Sequence, residues 1–327
     1  MTTTDARLSS VIEHALRAAT RAPSVHNTQP WRFVVSSPLI EVHLDRDRVL
    51  PVADPAAREA RMSCGAALFN LRLALQAAGR AVVTDLLPDP SRPDLLAVLR
   101  VCGARPATPE QLTLASAVER RVTNRRPFIE REVPPSLRHA LVQAAEAERA
   151  GLVLLDTPKS LGTLATLLRR ADHLQEEDTA FQRELTAWTD GGVDREDGVP
   201  RAAGGPRPIG GSLLTLRQYP PKSTVERPFE QDPLVAVLTT RGDTVRDHLL
   251  AGLAMQRVLL TATVIGLSTS FLSQPIEVPL TRAAFRASLE RPGHPQTVLR
   301  IGYGHPAART PRRAVGAVTT IREEVPS

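Results

Sequence analysis

Aromatic residues are scarce: two tryptophans, two tyrosines and seven phenylalanines make up 3% of 327 residues. Leucine, valine and alanine must therefore fill the core that a 42% hydrophobic content can build. Two cysteines, Cys64 and Cys102, are too few for a disulfide framework and lack metal-ligand spacing, which fits a reducing, cytoplasmic setting. The eight histidines form no His-x-x-x-His or His/carboxylate pattern, so no metal is expected. The longest apolar run, His248 to Leu272, is broken by Gln256 and Arg257. A membrane span needs ~18 or more nearly uncharged residues, so this reads as a soluble chain. Met1 to Ser10 show no cationic stretch followed by an apolar one, hence no signal peptide is expected. A Gly-x-Ser-x-Gly elbow and a Gly-x-x-x-x-Gly-Lys phosphate loop are both absent.

Forty-one basic against 35 acidic residues leave a formal charge of +6. Such a balance favours polyanions, which include phosphorylated cofactors as well as nucleic acids. Nucleic-acid binding would call for clustered cations interleaved with stacking aromatics. Here the arginine pairs are scattered and the aromatics few, so no nucleic-acid partner is expected.

Helical spacing of Val11, Ile12, Ala15, Leu16 and Ala19 predicts a helix from Ser9 or Ser10 to about Thr20. Strands are predicted over Trp31–Val35, Ile40–Leu44 and Leu95–Cys102, with a loop at Pro51–Pro55 and a long apolar helix from Ala60 to Ala78. A second series follows: helix Pro134–Ala150, strand Leu152–Leu155, a mostly helical stretch from Leu161 to about Thr189, strand Pro233–Thr240, helix His248–Ile265 and strand Thr297–Gly302. Between them, Asp190 to Gln231 is rich in Gly, Pro and Arg, with Gly191-Gly192, Gly204-Gly205 and Gly210-Gly211. A stretch that long is usually a lid, a binding loop or disorder.

An internal echo organises the chain. Gly65-Ala-Ala-Leu-Phe-Asn-Leu-Arg-Leu-Ala-Leu-Gln-Ala-Ala-Gly79 is answered by Gly252-Leu-Ala-Met-Gln-Arg-Val-Leu-Leu-Thr-Ala-Thr-Val-Ile-Gly266, with equal glycine spacing (79 − 65 = 266 − 252 = 14). Val98-Leu99-Arg100-Val101 is answered by Val298-Leu299-Arg300-Ile301. Two echoes in the same order predict a duplication, with halves at about 1–115 and 116–327.

Two segments carry chemistry. Ala22-Pro23-Ser24-Val25-His26-Asn27-Thr28-Gln29-Pro30-Trp31 places short donors and acceptors between two prolines that stiffen the backbone. It could hold a planar, hydrogen-bonding ring edge-on, or simply close a helix C-terminus with local side-chain bonds. His26 reads as structural rather than as an acid. Arg120-Arg121-Val122-Thr123-Asn124-Arg125-Arg126-Pro127-Phe128 suits a phosphate monoester, since guanidiniums make charge-assisted bonds to it; a solvated basic turn is the other reading. Arg312-Arg313 could close on the same phosphate.

Together these segments resemble the nitroreductase family. Ala-Pro-Ser-x-His-Asn-Thr-Gln-Pro-Trp resembles that family's flavin-ring loop, and Arg-Arg-x-Thr-x-Arg its phosphate motif. Arg58-Glu59-Ala60-Arg61-Met62-Ser63-Cys64-Gly65 and Thr123-Asn124-Arg125-Arg126-Pro127-Phe128 match its Acg-like, actinobacterial dormancy-associated branch. The resemblance implies an α+β, nitroreductase-like fold in which two diverged halves are fused into a pseudo-dimer, with FMN as cofactor. The first half keeps the ring loop and lacks the arginine motif; the second keeps Arg121, Thr123 and Arg125 and reads Glu148-Arg149-Ala150-Gly151-Leu152 where the loop would fall. The losses are complementary, which implies one FMN per chain and no need of a second copy, so a monomer suffices.

By position, the resemblance sets Ser24 and Asn27 against the isoalloxazine or ribityl. It sets Arg121, Thr123 and Arg125 on the ribityl and phosphate, and Ser273 and Gln274 near flavin N5 and O4. Arg312 and Arg313 fall near the phosphate, in a register open by a residue or so. No side-chain acid or base is obligatory in this scheme, and none is assigned as catalytic. The leading expectation is an oxidoreductase carrying electrons from NAD(P)H to a nitro, quinone or similar small-molecule acceptor. The alternatives are an FMN-sequestering protein whose 190–231 insertion covers the site, and a specialised flavin dehydrogenase of a biosynthetic pathway.

Overall fold

The computed structural model describes residues 3–189, 195–210, 212–220 and 222–322. Asp190 to Asp194, Gly211 and Pro221, which belong to the Gly/Pro-rich insertion, lie outside the described residues. The first part of the chain runs α1 (Thr3–Thr20), β1 (Trp31–Ser36), β2 (Leu39–Leu44), α2 (Arg58–Ala77), β3 (Arg80–Leu86), β4 (Leu95–Ala104) and α3 (Pro109–Ala117). There follow β5 (Phe128–Ile129), α4 (Pro135–Glu146), β6 (Gly151–Leu155), α5 (Pro158–Glu177), α6 (Thr179–Ala187), β7 (Arg207–Pro208), β8 (Glu226–Arg227) and β9 (Leu234–Thr240). The chain closes with α7 (Val245–Val264), β10 (Ser268–Phe271), α8 (Gln274–Glu277), α9 (Pro279–Ser288), β11 (His294–Gly304), α10 (Val315–Val318) and β12 (Thr319–Ile321).

The strands form two main sheets, ordered β12-β1-β2-β4-β3 and β10-β11-β9-β6. Stripped of β12, the first sheet reads β3-β4-β2-β1, the same order in which the second uses its own strands. Val98–Val101 on β4 and Val298–Ile301 on β11 hold matching places, each beside the strand that follows a long helix. Those long helices, α2 and α7, pack together at the centre of the molecule. Their crossing depends on glycine: a Cβ on Gly65 would sit 2.5 Å from the Leu249 carbonyl oxygen, and one on Gly252 would overlap the Met62 carbonyl. Around the crossing lie Leu68, Leu71, Leu75, Leu259 and the inner faces of both sheets, which form the main core. β9 is buried along its whole length because α5, α8 and α9 cover its outer face with Leu164, Leu168, Ile276 and Phe285. Among the described residues no helix is long and apolar enough to cross a membrane.

Several elements differ from the sequence expectation. The helical stretch after Leu161 is two helices, because Asp178 turns extended and its Oδ1 accepts the Ala180 and Phe181 N–H groups as a new N-cap. α4 ends at Glu146, and Arg149, at φ 63°, turns the chain into β6. β3, α3, α9 and β12 lie outside the sequence expectation, although α3 carries a local start signal: Thr108 and Gln111 cap one another in a capping box with Pro109 at the first turn. β12 leaves the second part of the chain and pairs in parallel with β1 (Phe33 with Thr319, Val35 with Ile321).

Candidate functional site

The loop after α1 makes one wall of the site. His26, Asn27 and Gln29 all have positive φ (46°, 58° and 54°), which non-glycine residues hold only when neighbours over-determine them. The neighbours are on hand. Ser24 Oγ accepts the Gln29 N–H at 2.9 Å, and Gln29 Nε2 donates to the Glu196 carbonyl at 2.9 Å. Asn27 Nδ2 donates to the Gly198 and Pro311 carbonyls at 3.0 and 3.1 Å, while its Oδ1 accepts from Arg312 Nη1 at 2.9 Å. The Asn27 amide thus joins three segments, the ring loop, the insertion and the C-terminal stretch.

Beside this loop opens a basic cavity, which Ser24, Asn27, Arg121, Thr123, Arg125 and Arg312 all line. Thr123 is placed by a bridge to Thr269, and the Asn124 N–H donates to the Thr269 carbonyl at 2.8 Å. Arg121 Nη2 donates to the Arg21 carbonyl at 3.3 Å, but Nε and Nη1 are buried without a partner. Arg312 spends its terminal nitrogens on Asn27, Thr310 and the Ala22 carbonyl, leaving Nε buried and unpaired. Burial lowers the Arg121 pKa to about 10; burial, then Arg121 and Arg21, lower that of Arg312 to about 9. Orphaned cationic donors in a buried cleft are costly unless an anion completes them. A phosphate monoester fits this end.

A second cavity shares Pro23, Ser24, Arg125 and Phe271 with the first and continues it inward. Met62 of α2, Met255 of α7 and Phe271 give it apolar walls; Ser63, whose hydroxyl donates to the Glu59 carbonyl, and Ser273 at the head of α8 also line it. His26 enters from the loop with both ring nitrogens unpaired and its ring edge-on to Tyr219, 5.9 Å between centroids. Burial first, then Arg217 and Arg125, hold the His26 pKa down to about 3, so the ring is neutral at ordinary pH. Below it, Arg217 grips Glu277 through two hydrogen bonds, and Gln175 bonds both partners. Against the cost of burial, Arg217 pulls Glu277 to about 2.

Not every residue singled out in the sequence meets here. Arg125 turns its guanidinium to the Ala203 carbonyl, 3.0 Å, and over the Tyr219 ring, 4.9 Å from its centroid. It clamps the insertion while lining both cavities. Gln274 is buried and donates to Asp172 at 3.1 Å, off both cavities. Arg313 meets the site through its backbone N–H, which donates to Gln29 Oε1 at 2.9 Å; its guanidinium lies by Ala317 and Asp45. Sequence reasoning gave no role to Arg21, Glu59, Met62, Ser63, Arg217 or Tyr219. For the α2 residues a signal existed: Glu59, Met62 and Ser63 are spaced i, i+3, i+4 and share one helix face.

The insertion lies across the site. Gly205, at φ 79°, packs so closely on Arg125 that a Cβ would come 2.5 Å from its carbonyl oxygen. Asp197 pairs with Arg48 and Arg195, which both stack on Trp188. On the far side of the α2/α7 pair lies a groove floored by Leu250, Leu253 and Thr84. There Glu148, in the turn after α4, binds Arg72 at 2.7 Å and Arg257 at 3.2 Å, and Arg257 also pairs with Glu110.

Two sheets packed on a crossed helix pair, with a cleft beside them that is basic at one end, make a nitroreductase-like α+β fold. A solved structure, "Crystal structure of a putative nitroreductase from anabaena variabilis", covers 93% of this chain and 90% of its own at a TM-score of 0.50 and 13% identity. The model of the Nitroreductase family matches residues 9–50, which hold the ring loop. "Putative NAD(P)H nitroreductase acg" of Mycobacterium tuberculosis (strain H37Rv) is 31% identical over 98% of this chain and 97% of its own. "Putative NAD(P)H nitroreductase Rv3131" of the same strain is 34% identical, over 96% and 92%. The chain belongs to the nitroreductase family, with Acg-like mycobacterial relatives over nearly its full length.

Proposed function

We propose that this chain holds one FMN and uses it to carry electrons from NAD(P)H to a small nitro or quinone acceptor. The observation that carries the reading is the set of buried, unpaired guanidinium nitrogens of Arg121 and Arg312 at one end of a cleft whose other end is walled by Met62, Met255 and Phe271 with a few polar groups among them. Arg121, Arg312 and Thr123 would hold the phosphate, Ser24 and Phe271 the middle of the cofactor, and Met62, Ser63, Met255 and Ser273 the ring. When bound, FMN supplies two-electron redox chemistry; the protein binds, orients and keeps water out. The matching strand orders support a duplicated origin, and the pairing of Arg72 and Arg257 with Glu148 in the far groove, where the cleft leaves guanidiniums unpaired, supports a single cofactor per chain.

A second reading has its own observation. Asn27 and Gln29 are bonded to the insertion, and Tyr219 stands over His26, so nicotinamide would have to displace a fastened strap. The chain would then keep FMN with little turnover. Anaerobic mixing of FMN-loaded protein with NADPH, then NADH, separates the two. Rapid bleaching of the flavin, with colour restored by a quinone, supports the reductase. Persistent colour that only dithionite removes supports sequestration. Protein that stays colourless after incubation with FMN would sink both.

A further inference from the structure

Glu59 stands in the first turn of α2, buried, at the inner wall of the ring-end cavity. Its Oε1 accepts from Arg58 Nη2 at 2.9 Å, while Oε2 is buried with no partner. The donors around it are engaged elsewhere. Arg58 Nη1 donates to the Gln296 carbonyl at 2.6 Å, and Arg217 is taken up by Glu277 and Gln175. An ionised carboxylate buried with one oxygen idle is unfavourable, whereas a neutral carboxylic acid places an O–H in the cavity. The charged or titratable groups around it are Arg58 on its own helix, Asp54 from the preceding loop, Glu277 of α8, Arg217 and Tyr219 of the insertion, Arg125 and neutral His26. Burial first, then the Glu277 charge, hold its pKa up to about 8 against Arg58, with Asp54 adding to the rise.

We infer that Glu59 is the proton donor to an electron acceptor bound at the inner end of the cleft. The inference rests on the flavin reading given above. With a quinone acceptor the balance is simple. The quinone takes a hydride, two electrons and a proton, from a dihydroflavin reductant, and a second proton from the Glu59 O–H bond. The product is the hydroquinone, and the Glu59 carboxylate left beside Arg58 regains its proton from solvent. His26, neutral, is a far weaker acid and cannot take this part.

The test is Glu59→Gln, which keeps the shape and removes the acid. FMN-loaded protein is reduced with dithionite and reoxidised by benzoquinone or by ferricyanide, an acceptor that takes electrons without a proton. Benzoquinone reoxidation should slow roughly 10²-fold in the variant, the usual scale of a lost acid. In the unaltered protein it should fall as pH rises past the carboxyl's titration, and that fall should be absent from the variant. Ferricyanide reoxidation should be the same in both proteins. Equal benzoquinone rates, or a ferricyanide rate that drops by the same factor, would overturn the proposal. Infrared spectra give a readout apart from turnover: a buried carboxylic-acid C=O band that shifts in D₂O should be present in the unaltered protein and missing in Glu59→Gln. Absence of that band from the unaltered protein would overturn the inference whether or not flavin is bound. A colourless protein that shows the band would instead sink the cofactor reading alone.

Discussion

Arg121 brings three guanidinium nitrogens into a buried space and pairs only one, with the Arg21 carbonyl. Replacing it with alanine removes a desolvated cation from the free protein and a charge-assisted bond from the complex. Arg121→Ala should therefore weaken FMN retention by about tenfold or more, since such bonds contribute roughly 1.5–3 kcal/mol. It should leave the melting temperature of the flavin-free protein unchanged or higher. Fluorescence titration and thermal melts check the two halves of that statement, and undiminished retention would place the phosphate elsewhere. His26 makes a pH prediction. Its folded pKa, about 3, lies below the unfolded value of 6.5, so below 6.5 the unfolded chain binds a proton that the folded chain refuses. Its contribution is fully present above pH 6.5 and is lost as pH falls towards 3. His26→Leu should flatten that acid limb by up to about 1.4 kcal/mol per pH unit, read from urea midpoints over the same range. Glu59 slopes the other way, because a folded pKa raised to about 8 makes stability fall as pH rises from 4.5 towards 8.

At the scale of elements, the crossing of α2 and α7 is the least forgiving contact. Gly252 meets the Met62 carbonyl and the Gly65 Cα, both backbone, so neither can move aside as a flexible side chain would. Gly252→Ala should cost about 3 kcal/mol or more, at or beyond the usual range for overpacking, with the loss visible as a lower denaturant midpoint. A surface change such as Leu112→Ala, on exposed α3, gives the comparison. What could be read in advance followed locality. The ring loop, the arginine motif and the paired glycines announce themselves within a dozen residues each. The break at Asp178 was equally local but competed with a continuing helical pattern. Arg312 and Arg313 show where reading stops: the two are alike in sequence, and packing decides that the Arg312 guanidinium lines the cleft while that of Arg313 lies by Ala317 and Asp45. Glu59, Arg217 and Tyr219 meet only because α2, α8 and the insertion converge, and no stretch of sequence records that convergence.

For the whole molecule, the prediction concerns number. The far groove is lined by Arg72, Glu148 and Arg257, whose charges are bound to one another. Saturation with FMN should yield one flavin per chain, counted from absorbance against protein mass; two per chain would mean that the ion pairs yield to a second cofactor.

The bond from Arg312 to Asn27 joins residues 285 positions apart, and β12 fastens onto β1 just beyond it. During synthesis the Asn27 loop precedes its Arg312 anchor by 285 positions. Until residues 312–321 have emerged, Asn27 lacks one partner, Gln29 another, and the first sheet its edge strand. A chain cut short before that stretch would lack all three fastenings, so its FMN retention should fall well below that of the unaltered protein.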